Sequence, residues 1–304
     1  MKRIRLGTRG SPLALWQANE TARLLRAQGF SVELIPIRTT GDIRRDVPLA
    51  AIGGKGLFVK ELETALDRDE IDLAVHSLKD VPSIVPERFT LAGFLERADP
   101  RDAWLQPDGL AVDALPHGAL IATSAPRRRA QLLARRPDLR IEPIRGNVET
   151  RLAKLQNRAC DGLVVASAGL TRLGLTERVT ATFSVDEMIP AAGQGIVALE
   201  SLQSNALARS AAQAITHTQS AIAARCERGV LQHFGTQLDC LSCIAVHASF
   251  EGETIVVRAF VSDLDAATII RVTQRGTDAE ALACSVADEL RERGAISLLE
   301  VCAA

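Results

Sequence analysis

The stretch Ile71-Asp72-Leu73-Ala74-Val75-His76-Ser77-Leu78-Lys79-Asp80-Val81-Pro82 decides how this chain is read. An apolar strand over 71–75 runs straight into a polar turn holding Ser77, Lys79 and Asp80, and Pro82 then stops regular structure. In an open α/β sheet, strand ends of this kind line the ligand crevice. A lysine beside a carboxylate there binds an anion and steadies a nearby positive charge. The same pair on an ordinary surface turn would only meet water. A set of arginine-bearing turns elsewhere in the chain raises this turn above that reading.

Working outward, Ile4–Leu6 reads as a strand and Pro12 to about Gln28 as a helix with proline in its first turn. Val32–Ile37 alternates as a strand does. Leu57–Leu66 is amphipathic, and Phe89–Phe94 is a further strand. The charged run Glu96–Asp102, punctuated by Pro100, reads as a hinge. The pattern then restarts: strand 119–123, helix 127–136, strand 140–144, a helix capped by Asn147 and running to about Gln156, strand 163–166, and a short helix around Leu170. Two successive α/β units predict two similar lobes with a cleft between them. Gly193-Gln194-Gly195, followed by Ile196–Leu199, marks a second crossing between the lobes. The last third differs. A helix over 220–234 precedes alternating strands at 244–250, 254–261 and 268–273 and an amphipathic helix over 278–293, the pattern of a small α+β domain. The expected boundaries are 1–95 with 196–216 for the first lobe, 96–195 for the second, and 217–304 for the third domain.

Thr8-Arg9-Gly10-Ser11-Pro12 ends the first strand and opens a helix, and a helix start beside Arg9 and the Ser11 hydroxyl suits an anion. Gly53-Gly54-Lys55-Gly56 lacks the spacing of a Walker loop and reads as a glycine-rich flap carrying one cation. Thr123-Ser124-Ala125-Pro126-Arg127-Arg128-Arg129 and Ile144-Arg145-Gly146-Asn147-Val148-Glu149-Thr150-Arg151 repeat the strand-to-helix design, and Arg172 follows the next strand. Each arginine alone reads as a solvated side chain. Their recurrence after successive strands of one sheet predicts a rim for a ligand with several carboxylates or phosphates. Each charge-assisted hydrogen bond there is worth about 1.5–3 kcal/mol.

Composition narrows the classes. The chain has 304 residues, enough for roughly two domains at about 150 residues each. Thirty-six basic against 37 acidic residues leave a net charge of −1, which argues against bulk attraction to nucleic acid or an anionic membrane. Only five of the basic residues are lysines. No apolar run approaches the roughly 20 residues of a membrane span, and no signal-type apolar core follows Met1–Arg5; the expectation is a cytoplasmic chain. Cys240 and Cys243 form a lone C-x-x-C without two further ligands at zinc spacing, so no metal is expected.

The motifs together resemble porphobilinogen deaminase (hydroxymethylbilane synthase), a family of tetrapyrrole biosynthesis. The matching stretches are TRGSPLALWQ at 8–17, GGKGLFVKELE at 53–63, AVHSLKDVP at 74–82, ERADPRDAW at 96–104, RRPDLRI at 135–141, RGNVETRL at 145–152, AGLTRLGL at 168–175 and PAAGQG at 190–195. The resemblance implies an α/β fold. Its two doubly wound lobes resemble type II periplasmic binding proteins, and a small α+β C-terminal domain with a three-stranded antiparallel sheet follows them. It implies a transferase, usually monomeric, that condenses four molecules of porphobilinogen head to tail with loss of ammonia. The condensation takes place on a dipyrromethane cofactor held by a cysteine thioether and releases a linear tetrapyrrole, hydroxymethylbilane. By resemblance Asp80 is catalytic: its carboxylate accepts pyrrole N–H bonds and stabilises the cationic azafulvene left by ammonia. Lys79, Asp80, Thr123, Arg127, Arg128 and Arg145 match cofactor-binding positions. Arg9, Ser11, Arg145, Arg151 and Arg172 match substrate-binding positions, and Lys55 and Gln194 fit the same cleft.

The cofactor loop departs from the family. A Glu-Gly-Gly-Cys turn and a later proline are usual, whereas this chain has Thr236-Gln237-Leu238-Asp239-Cys240-Leu241-Ser242-Cys243. Aligning backwards from Ile244–Ala248 puts Cys240 at the attachment position and Cys243 where the proline stands. Ala125 replaces a usual serine and Glu149 a usual glycine. Two rival readings stay open: a non-catalytic two-lobed protein binding small anions, and a family member whose altered loop impairs cofactor attachment.

Overall fold

The computed structural model describes residues 2–39, 59–235, 238 and 242–303. The glycine-rich turn with Lys55, and Cys240, the residue expected to carry the cofactor, lie outside the described residues. In chain order the elements are β1 (Arg3–Arg9), α1 (Pro12–Ala27), β2 (Ser31–Ile37), α2 (Lys60–Asp67), β3 (Leu73–Ser77), β4 (Phe89–Phe94), β5 (Asp102–Leu105) and β6 (Leu120–Ala122). Then come α3 (Pro126–Arg135), β7 (Arg140–Glu142), α4 (Val148–Gln156), β8 (Gly162–Ala166), α5 (Ser167–Arg172), β9 (Ala181–Thr182) and β10 (Val197–Leu202). The chain ends with α6 (Ala206–Ala214), α7 (Thr218–Gln232), β11 (Ile244–Glu251), β12 (Thr254–Ser262), β13 (Ile269–Gly276), α8 (Ala279–Glu292) and α9 (Ala295–Ala303).

Two compact units divide the chain: residues 1–98 with 195–224, and residues 99–194 with 225–304. The first holds a sheet of order β2-β1-β3-β10-β4. Strands β1, β2 and β3 are parallel, and β10 runs antiparallel between β3 and β4. Pro12 sits at the start of α1 behind a Ser11 cap, which fixes where the chain turns back over the sheet. Ala18, Ala22 and Leu25 then recur on one side of α1 and pack on Ile4, Leu6, Leu73 and Val75, with Val197 and Leu199 of β10 in the same cluster. Those side chains are 0–3% exposed. The late strand β10 is therefore a core strand of the first sheet.

The second unit repeats the plan with order β7-β6-β8-β5-β9, its first three strands parallel and β5 antiparallel to β8. Trp104 of β5 is 1% exposed and lies on Gly162, where a Cβ would come within 1.9 Å of the ring. Only glycine lets β8 pass there. The same unit holds the antiparallel sheet β11-β12-β13, covered by α8 and α9. Asp278 caps α8 through its carboxylate, which accepts from Glu280 and Ala281 N–H.

The two lobes with parallel strands and the three-stranded third sheet match the expected fold class. Three local expectations change. Strand β3 starts at Leu73, not Ile71: the Asp72 amide still donates to Arg5 O at 2.8 Å, but the Arg5 amide turns to the Asp72 carboxylate at 2.7 Å, where the guanidinium also binds, so the ladder goes no further back. Asp102, read as part of a charged hinge, opens β5 and has no solvent exposure. Helices α6 and α9 have no counterpart in the sequence reading.

Candidate active site

In the first unit, β1 and β3 lie side by side and parallel, so the turns after them share one sheet edge. The turn after β1 carries Arg9 and Ser11. The Ser11 Oγ accepts from Ala14 N at 3.3 Å as a helix cap, and Thr8 Oγ1 donates to Ala14 O at 3.1 Å. These bonds fix the entry to α1 and hence the position of Arg9. The turn after β3 is a single turn of 3₁₀ helix, Leu78–Asp80. Leu78 is 1% exposed and packs on Phe94, Ile196, Ala198 and Ala224, while its amide donates to Ile196 O at 3.0 Å. Ser77 Oγ accepts from Gln17 of α1 at 2.8 Å. A buried leucine thus anchors a turn whose next two residues, Lys79 and Asp80, are exposed. Within β3 itself, His76 Nε2 meets Glu200 Oε2 at 2.8 Å in the core. Glu63, half-buried nearby, is pushed above the usual carboxylate range by burial and by the Glu200 charge.

In the second unit, the C-terminal ends of β6, β7 and β8 point the same way, bringing Thr123, Arg145 and the start of α5 to one rim. Ser124 Oγ bonds Ile144 O and accepts from Ile144 N at 2.9 Å, tying the turn after β6 to the turn after β7. Gly146 has φ +112°, a backbone state that favours glycine, and its carbonyl accepts from Arg151 Nε at 2.9 Å. Burial pushes the half-buried Arg172 guanidinium down to about 10, still charged at neutral pH. Ser167 Oγ is buried without a partner among the described residues.

A fully buried and heavily bonded carboxylate in this unit was missed by the sequence reading. Asp102 receives five hydrogen bonds: Arg127 at 2.6 and 3.1 Å, Arg128 at 3.0 and 2.7 Å, and Gln194 Nε2 at 2.9 Å. Burial alone would raise its pKa, but the charges of Arg127 and Arg128 win and hold it well below the usual carboxylate range. Burial, opposed by Asp102 but reinforced by like charge from Arg127 and Arg151, brings Arg128 down to about 10. A guanidinium has five N–H donors. Arg127 spends four of them, on Asp102 twice, Ile189 O and Gln194 Oε1. Arg128 spends three, on Asp102 twice and Val164 O, so two of its N–H groups are not used in this network. Gln194, expected at the substrate, is fully buried. Its amide bonds Pro100 O at 2.6 Å as well as Asp102 and Arg127, so it braces the network. The signal that could have exposed Asp102 was its place directly before Ala103-Trp104-Leu105, an apolar strand.

Comparison with known proteins follows the same lines. The family described as "Porphobilinogen deaminase, dipyromethane cofactor binding domain" matches residues 4–210. A porphobilinogen deaminase of Syntrophotalea carbinolica is 46% identical over 97% of this chain and 95% of its own length. One of Geobacter sulfurreducens is 44% identical over 98% of this chain and 94% of its own length. Among solved structures, a periplasmic substrate-binding protein of an ABC transporter from Coxiella burnetii aligns with a TM-score of 0.44 at 15% identity, over 71% of this chain and 93% of that one.

Proposed function

The chain belongs to the porphobilinogen deaminase family, and on that premise we propose that Asp80 is the catalytic residue of its polymerising reaction. The enzyme condenses porphobilinogen head to tail with loss of ammonia and uses a dipyrromethane cofactor. One observation carries the assignment: Asp80 is exposed on a turn nailed down by a fully packed Leu78, beside Lys79 and on the same sheet edge as Arg9. When bound, the dipyrromethane supplies the nucleophilic pyrrole end on which the chain grows. Cys240 is the residue proposed to carry it.

Each protein group then has a task. Asp80 accepts the pyrrole N–H of the incoming porphobilinogen and offsets the positive charge that develops as ammonia leaves. It also takes the proton released when the new carbon–carbon bond forms. Arg9, Ser11, Arg145, Arg151 and Arg172 bind the substrate's acetate and propionate groups. Lys79, Thr123 and the two uncommitted N–H groups of Arg128 bind cofactor carboxylates, with Arg127 and Gln194 holding Arg128 and Asp102 in place. The donor set suits a polycarboxylate: planar guanidiniums for paired oxygens, and hydroxyls for single ones. No helix among the described residues is long and apolar enough to cross a membrane. We place the enzyme in the cytoplasm as a monomer, which light scattering of the purified protein checks.

The decisive experiment is Asp80→Asn. Turnover falls by at least ~100-fold, the scale of a lost acid–base and electrostatic group, while intact-mass spectrometry still shows a dipyrrole adduct mapping to Cys240. Full activity would remove Asp80 from the mechanism. An unmodified Cys240 after incubation with porphobilinogen would favour impaired attachment.

A further inference from the structure

A second pair of reactive groups sits on the α+β part of the second unit. Cys284 Sγ of α8 lies 3.4 Å from His233 Nε2, just past the end of α7. The other ring nitrogen, Nδ1, lies 2.8 Å from Gly229 O. A carbonyl oxygen only accepts, so in the neutral ring Nδ1 carries the proton and Nε2 turns its lone pair to the sulfur. Arg291 donates to His233 O, and its guanidinium carbon stands 5.5 Å over the Phe234 ring. Both contacts hold the imidazole against α8.

Cys284 is exposed, whereas Cys160, Cys226 and Cys243 are buried. Burial pushes the Cys226 thiol up to about 12 and raises that of Cys160. Cys284 opens onto a surface groove of about 610 Å³, whose lining includes Gln274, Ser285, Asp288, Glu289 and Glu292. Asp288 pairs with Arg291 at 3.2 Å and Glu289 with Arg293, so Glu292 supplies the net negative charge beside the thiol, which repels anionic reagents and leaves uncharged ones unhindered.

We propose that Cys284 and His233 form a modification site, a thiol–imidazole pair that reacts with small uncharged hydroperoxides. His233 Nε2 takes the S–H proton as the sulfur electron pair attacks the nearer peroxide oxygen. The O–O bond breaks, the S–O bond forms, and the departing oxygen receives the proton from Nε2. The balance is RSH + R′OOH → RSOH + R′OH: sulfur loses two electrons and the peroxide gains them. The product is a sulfenic acid, which a thiol returns to the reduced state through a mixed disulfide. Asp80 and the arginine rim take no part, so Cys284→Ser retains wild-type turnover.

The test uses the holoenzyme, substoichiometric hydrogen peroxide and dimedone to trap sulfenic acid, followed by peptide mapping. Cys284 acquires the adduct at least ~10-fold faster than Cys160, Cys226 or Cys243, and His233→Leu lowers its rate by about 10-fold, as loss of an adjacent base does. Equal labelling of the four cysteines, or an unchanged rate in a folded His233→Leu protein, overturns the proposal. Should that variant fail to fold, iodoacetamide and iodoacetate on the unaltered holoenzyme decide. Cys284 favours the neutral reagent more strongly than a free small thiol does, and an equal or reversed preference overturns the charge argument.

Discussion

A carboxylate that accepts five N–H donors and meets no water is locked in its charged form, and Asp102 is that group. Asp102→Asn turns an N–H toward two guanidiniums and costs about 3–5 kcal/mol, the scale for breaking a buried ion pair. The pH dependence has a definite sign. The folded-state pKa is depressed, so the stabilisation is present above the unfolded carboxyl value of about 3.9 and is lost as pH falls through the folded value. The stability gap between wild type and Asp102→Asn, from urea titrations, is flat between about pH 5 and pH 8 and closes below about pH 4. The neighbouring arginines separate by role. Arg127→Leu lowers stability by several kcal/mol, again on the scale of a broken buried pair. Arg128→Gln raises KM or lowers cofactor occupancy as well, because only Arg128 has two N–H groups to spare. A sequence shows a run of charges at 96–102, but not which of them two arginines 25 and 26 positions later will bury.

Elements were legible where one residue sets the boundary. Asn147 caps α4 by accepting from Thr150 N at 2.9 Å, and the helix starts at Val148 and ends at Gln156 as its pattern indicates. Ser11, followed by Pro12 at the first helical position, and Asp278 do the same for α1 and α8. Boundaries set by distant partners were not legible: β3 loses two residues to the Asp72–Arg5 contacts. The α6 segment is capped by Asn205, and its apolar face is built of alanines, which mark a buried stripe less plainly than larger side chains do. It is defined by packing Ala208, Ala211 and Ala212 on the first sheet. At this scale Gly162→Ala is the sharp test. Its Cβ would meet three ring atoms of Trp104 at 1.9–2.7 Å. Overpacking of that kind costs about 1–3 kcal/mol. Thermal unfolding moves down accordingly, and Trp104, 1% exposed in the native chain, shifts its fluorescence to the red.

For the whole molecule, the two-lobed plan was legible because the strand–turn–helix grammar restarts near residue 119, and the arginine-bearing turns then fall at the same end of each set of parallel strands. The ordering of antiparallel strands within each sheet was not, since nothing local in Val197–Leu202 says that it belongs between β3 and β4. A chain ending at residue 194 therefore lacks the strand that joins those two. Circular dichroism and amide exchange should find residues 1–98 without a cooperative transition, while the full-length chain protects β3 amides.

The insertion of β10 also sets a schedule for synthesis. After β4 leaves the ribosome, roughly a hundred further residues must be translated, about 5–20 s at ordinary elongation rates, before the missing strand emerges. Throughout that interval the nascent chain carries two unzipped apolar borders, β3 and β4, which invite chaperone capture.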